Sequence, residues 1–272
     1  MRRILFAALA ASAFVVTGAS AQTNCKPQAV RDLQRLAPEA HAVYNAVADK
    51  KFFMQWITCD DIQLGLATAV HETVHMLTEE KDAYLLVDGS TLKRPHAVSK
   101  FYPPGEIAGR FDRNSTYVQT YLLPKAATSA EDFVYLLDEF NAYAHDLNAI
   151  NKLQSLPKGA GVVSHRDGMA AMMAFLSTYV QTAKEKKPQT WEGLQRPETK
   201  KVISTLWNQA ETALKASCGI PDIGMDDRKY INHVCQAKNS GALGELLGRP
   251  VACFSSCTAP DTASAAGAST IR

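Results

Sequence analysis

The sequence predicts a mostly helical α+β fold, stapled by disulfides and carrying a small antiparallel sheet. Three observations predict it. Apolar residues recur at steps of three and four through most of the chain, the spacing that lines up one face of a helix. Two short stretches, 83–92 and 116–123, carry strand character instead. All six cysteines (Cys25, Cys59, Cys218, Cys235, Cys253 and Cys257) follow an N-terminal export signature, and an oxidising compartment favours their pairing.

That signature comes first in the chain. Arg2 and Arg3 precede an apolar run from Ile4 to Val16, and Ala19-Ser20-Ala21 is a small-residue cleavage pattern. Residues 1–21 are therefore expected to be a signal peptide, with the mature chain starting at Gln22 and secreted or periplasmic. The run is too short to span a bilayer comfortably, and no later stretch is apolar enough, so no membrane association is expected after cleavage. The chain has 29 Lys and Arg against 27 Asp and Glu; without Arg2 and Arg3 there are 27 of each, and this balance gives no reason to expect a nucleic-acid partner. About 235 residues then remain, enough for one core or at most two closely packed lobes, and one domain is expected over 22–257. The tail, 258–272, is Ala, Ser, Thr and Gly with little to bury and is expected to be disordered.

The first mature helix is expected over Pro27 to Asp49, with Leu33, Leu36, Val43 and Val47 at helical spacing. The second starts near Asp60, which with Gln63 makes a capping-box pair, and ends near Glu80; Ile62, Leu66, Val70, Val74 and Leu77 mark its apolar stripe. Ala83 to Val87 and Ser90 to Leu92 form a hairpin around Asp88-Gly89, and prolines keep 95–105 irregular. Thr116 to Leu123 reads as a strand, able to pair with a substrate backbone. From Ser129, with Thr128 and Glu131 as a further capping pair, a helix buries Phe133, Leu136, Leu137, Phe140, Ala144 and Leu147. Further helices are expected over His165 to Glu185, Glu198 to Ala216, Asp226 to Gln236 and Ala242 to Leu247. Cys25 is expected to pair with Cys59, and the last four cysteines among themselves.

Chemistry concentrates in His71-Glu72-Thr73-Val74-His75. Residues four apart on a helix share a face, so two imidazoles in an H-E-x-x-H pattern can hold one zinc ion, with the glutamate placed to take a proton from water. A catalytic zinc needs a third protein ligand. No H-x-x-G-x-x-H extension follows His75, which excludes the metzincin arrangement, so the candidate is the segment Asp138 to Asp146. Helical projection puts Glu139, Tyr143 and Asp146 on one flank of its core stripe and Asp138 and His145 on the other, and periodicity does not choose between them. Asp146 fits either a carboxylate orienting a histidine or a plain surface charge.

Two segments, Val70 to Leu77 and Leu137 to Asp146, resemble the gluzincin metallopeptidases, in which an H-E-x-x-H helix is joined by a glutamate from a later helix. The segment Leu137 to Asp146 is similar to the E-x-x-A-Y form, with Glu139, Ala142 and Tyr143 in those places. The resemblance implies a zincin-like fold over 22–257 and one Zn2+ per chain held by His71, His75 and Glu139. It also implies Glu72 as the catalytic base and peptide-bond hydrolysis on a peptide or protein substrate. The chain departs from the thermolysin pattern, since no N-E-x-x-S-D surrounds Glu139. His165, Tyr117, Tyr121 and Tyr143 are candidates for stabilising an oxyanion. Two alternatives carry different chemistry: a metal-free, disulfide-stapled helical binding protein, and a zinc hydrolase of non-peptide amides.

Other signals are weaker. Gly159-Ala160-Gly161 reads as a turn, Met169, Met172 and Met173 as core filler, and Asn114-Ser115-Thr116 matches a glycosylation sequon. No Gly-x-Ser-x-Gly elbow and no paired Cys–His motif is present, which argues against serine and cysteine hydrolases.

Overall fold

The computed structural model describes residues 18–125, 127–160, 165–253 and 257. The expected signal segment falls on 1–17, outside the described residues, and on the first residues of helix α1 (Gly18–Leu36); the expected tail, 258–272, also lies outside them. Among the described residues no helix is long and apolar enough to cross a membrane. Over the described residues the fold is mostly helical, with one two-stranded antiparallel sheet. Its three disulfides are Cys25–Cys59, Cys218–Cys257 and Cys235–Cys253.

The first mature helix is not continuous. It stops at Leu36 and resumes as α2 (Pro38–Ala46), because Pro38 has no N–H to continue the ladder and disfavours helical backbone at Ala37. A short helix α3 (Lys50–Gln55), capped by the Asp49 carboxylate, follows. Helix α4 (Ile62–Lys81) is capped by Asp61, not Asp60: its carboxylate accepts the Leu64 N–H at 2.9 Å. Gln63 does not close a capping box; its amide donates to the carbonyls of Gln154 and Leu156. The predicted stripe is buried, Leu66, Val70, Val74 and Leu77 fully and Ile62 to within 7%, and packs in one core with Leu33 and Val43 of α1 and α2.

Strands β1 (Ala83–Leu85) and β2 (Thr91–Lys93) pair Tyr84 with Leu92 across the expected turn, where Gly89 takes the left-handed φ of 84°. The segment 116–123 is not a strand. Thr116–Tyr121 forms helix α5, burying Val118 and Leu122 one turn apart. Periods of two and four coincide at those positions, and the β-favouring Thr, Tyr and Val tip the sequence reading. With no neighbouring strand among the described residues, the backbone closes its hydrogen bonds locally. The pairing of this segment with a substrate backbone falls with the strand.

Helix α6 (Phe133–Lys152) begins later than Ser129. Residues Thr128–Ala130 form a 3-10 turn, and the Asp132 carboxylate, accepting the Val134 N–H, is the true cap. Helix α7 (His165–Lys186) is buried on every side from His165 to Ala183 and forms the centre of the fold. Around it stand α8 (Pro188–Gln195), α9 (Pro197–Ser217), α10 (Asp227–Val234) and α11 (Ala237–Leu247). Helix α6 lies between α4 on one side and α7 and α9 on the other. The motif helix and the carboxylate-bearing helix are thus direct neighbours.

Candidate metal centre

His71 and His75 stand one turn apart on the flank of α4 that faces α6. Their Nε2 atoms lie 3.1 Å apart. Glu139 of α6 brings Oε2 to 3.3 Å from His75 Nε2 and 3.6 Å from His71 Nε2. Donors about 2.0–2.2 Å from a tetrahedral zinc stand about 3.3–3.6 Å from one another. The observed triangle therefore has edge lengths close to those such an ion demands, and the three donors fit a single metal ion. Glu139 Oε2 is also buried without a hydrogen-bond partner. An orphaned buried carboxylate oxygen is costly, and a cation between the imidazoles would satisfy it.

The surrounding groups orient this set. Asp138 accepts a hydrogen bond from His75 Nδ1 at 2.8 Å, which leaves the Nε2 lone pair turned to the triangle. Helical projection sets Asp138 on the flank away from Glu139, yet both side chains meet His75. The consecutive pair Asp138-Glu139 straddles the approach of α4, one carboxylate reaching each ring nitrogen of His75. That adjacency was the available signal. The rival candidate His145 is turned away: its Nε2 donates to the Leu85 carbonyl at 2.7 Å. Burial chiefly holds its ring down at about 4, so it stays neutral there. Asp146, two turns after Glu139, is buried rather than a surface charge. One oxygen pairs with His165 Nδ1, and the other lies 3.8 Å from His71 Nδ1.

Glu72 lines a pocket of about 190 Å³ together with His71, Tyr143, Asp146, His165, Leu64 and Thr68. His165 is 4% exposed, and its Nε2 has no hydrogen-bond partner. Of the residues considered for oxyanion stabilisation, His165 and Tyr143 line this pocket, whereas Tyr117 and Tyr121 line a neighbouring cavity. The Tyr143 ring packs edge-on against His71 with centroids 4.7 Å apart, and its hydroxyl lies 2.8 Å from that of Tyr121.

Gly168 lets that ring sit where it does. A Cβ there would lie 2.0 Å from Tyr143 Cε1. Gly168→Ala is expected to push Tyr143 against His71, destabilising the fold by about 1–3 kcal/mol and weakening metal binding. Thermal unfolding with and without zinc separates the two effects.

The electrostatics of the metal-free site follow from the same contacts. Burial raises the Glu139 carboxyl, but the two facing imidazoles outweigh it and hold the group down at about 2. Burial lowers His75, while Asp138 and Glu139 outweigh it and push the ring up to about 10. A ring raised in this way keeps its proton at neutral pH, so zinc must displace that proton to bind. Zinc affinity is therefore expected to climb as pH rises from the ordinary histidine range towards 10. Calorimetric titrations with zinc, in neutral buffers of different ionisation enthalpy, should reveal the released proton.

Fold and site together define a helical, disulfide-bonded protein with a candidate His/His/Glu metal centre. Comparison with family models, curated proteins and solved structures finds no match. The gluzincin resemblance accordingly rests on the two short segments alone.

Proposed function

We propose that this chain is an exported zinc metallopeptidase, secreted or periplasmic, hydrolysing peptide bonds in a peptide or protein substrate. The observation that carries the reading is the donor triangle of His71, His75 and Glu139 beside a pocket that also holds Glu72. Zinc held there supplies a Lewis acid that acidifies water and polarises a carbonyl.

The chain's own residues do the rest. Glu72 takes the proton from the attacking water and returns it to the leaving amine. Asp138 fixes the ring of His75 through Nδ1. His165, held through Nδ1 by Asp146, lines the pocket and, when doubly protonated, donates from Nε2 to the developing oxyanion. Tyr143 packs against His71 and limits its swing.

The test is metal dependence. Protein purified without chelator should carry one zinc per chain and cleave a denatured protein substrate. A chelator should abolish cleavage and added zinc restore it. Metal-free protein with unchanged cleavage would remove the reading.

A further inference from the structure

Next to the metal-donor pocket is a larger cavity, of about 500 Å³. Tyr143 walls both: its ring meets His71 on one side, and its hydroxyl reaches Tyr121 on the other. Helix α5 supplies one wall with Tyr117 and Tyr121. Another wall is the segment 225–229, which leads into α10 and is firmly built. The Asp167 carboxylate, at the start of α7, accepts the backbone N–H groups of Met225, Asp226 and Asp227, at 2.7–2.9 Å to its Oδ1. Buried Arg166 ties the same turn down through Asp227 and the Ser217 and Ile220 carbonyls.

The charge of this cavity is one-sided. Among the described residues, Asp112, Asp167 and Asp226 line it against a single cation, Lys229, whose ammonium pairs with Asp226 at 2.7 Å. The rings of Tyr117, Tyr121 and Tyr143 line the same cavity, with Ser115 and Thr120 beside them. An anion entering here meets carboxylates and an ammonium already paired, whereas a cation meets surplus negative charge and aromatic side chains. A cavity of this size takes a long side chain.

We propose that this cavity is a specificity site for a lysine or arginine side chain of the substrate whose scissile bond lies at the His71–His75–Glu139 centre. The proposal rests on the peptidase reading for its substrate class. Asp112 and Asp226 are its specificity-determining residues, and neither belongs to the metal centre.

The experiment uses the zinc-loaded mature protein carrying Glu72→Gln, so that bound peptide is not consumed. Binding is measured by fluorescence anisotropy with labelled alanine-rich peptides bearing a single Arg, Gln or Glu at each position in turn. At one position Arg is expected to bind about tenfold tighter than Gln, with Glu weakest. Adding Asp112→Asn and Asp226→Asn should collapse that preference while leaving the zinc content intact. No preference for Arg, or one that survives both substitutions, overturns the proposal. Turnover by the protein with Glu72 in place tells the two claims apart. Cleavage without a basic preference retains the peptidase and discards the pocket. A preference lost in the variants, with no peptide ever cut, retains the cation-binding pocket and discards the peptidase.

Discussion

Glu72→Gln is expected to leave one zinc bound per chain and to lower turnover by roughly 10³-fold. Glutamine keeps the shape and the hydrogen-bonding reach of the side chain but cannot accept a proton. The three metal donors are on other residues, His71, His75 and Glu139, so metal content should not change. Glu72 is partly exposed on the pocket side of α4, away from the buried stripe that holds the helix in the core, so stability should not change either. The measurement pairs elemental analysis with initial rates on one peptide. Loss of rate with full zinc occupancy assigns a proton-transfer role. Full activity in the variant would mean that another group takes the proton, and His165, on the wall of the same pocket, would be the residue to examine.

The motif helix was legible because one pattern served two purposes. The stripe at Leu66, Val70, Val74 and Leu77 fixed which face of α4 meets the core, and that placed His71 and His75 at its edge. The same logic read α6 correctly from Phe133 to Leu147. It failed where the segment is short. Six residues of α5 cannot separate a period of two from one of four, and α8 offers too few apolar positions to show a stripe. Pro38 was present in the sequence, yet the apolar spacing carried on past it and hid the break between α1 and α2. The site residues outside the motif were harder. Whether Asp138 or Glu139 faces the imidazoles depends on how α4 crosses α6, a property of packing between segments more than sixty residues apart, and the answer is that both do. The Asp146–His165 pair joins the end of α6 to the start of α7 and has no local signature at all.

Glu139→Ala carries the other large effect, because it removes the one donor that α6 gives to the triangle. Structural zinc sites with four ligands bind with an apparent free energy of about 10–16 kcal/mol, so one ligand accounts for roughly 2.5–4 kcal/mol and its loss for about a 10²–10³-fold weaker affinity. Among the described residues no neighbour is placed to substitute. Asp138 is held on the far side of His75 by its bond to Nδ1, His145 is bound to the Leu85 carbonyl, and Asp146 faces the Nδ1 edge of His71 and pairs with His165. The fold itself should survive, since the side chain is partly exposed and alanine is a good helix former. Zinc titration against a competing chelator measures the affinity, and thermal unfolding of the metal-free variant shows that the helix pair is still formed. Undiminished affinity in a folded variant would mean that the triangle is not the metal site, and the hydrolase built on it would fall with that result.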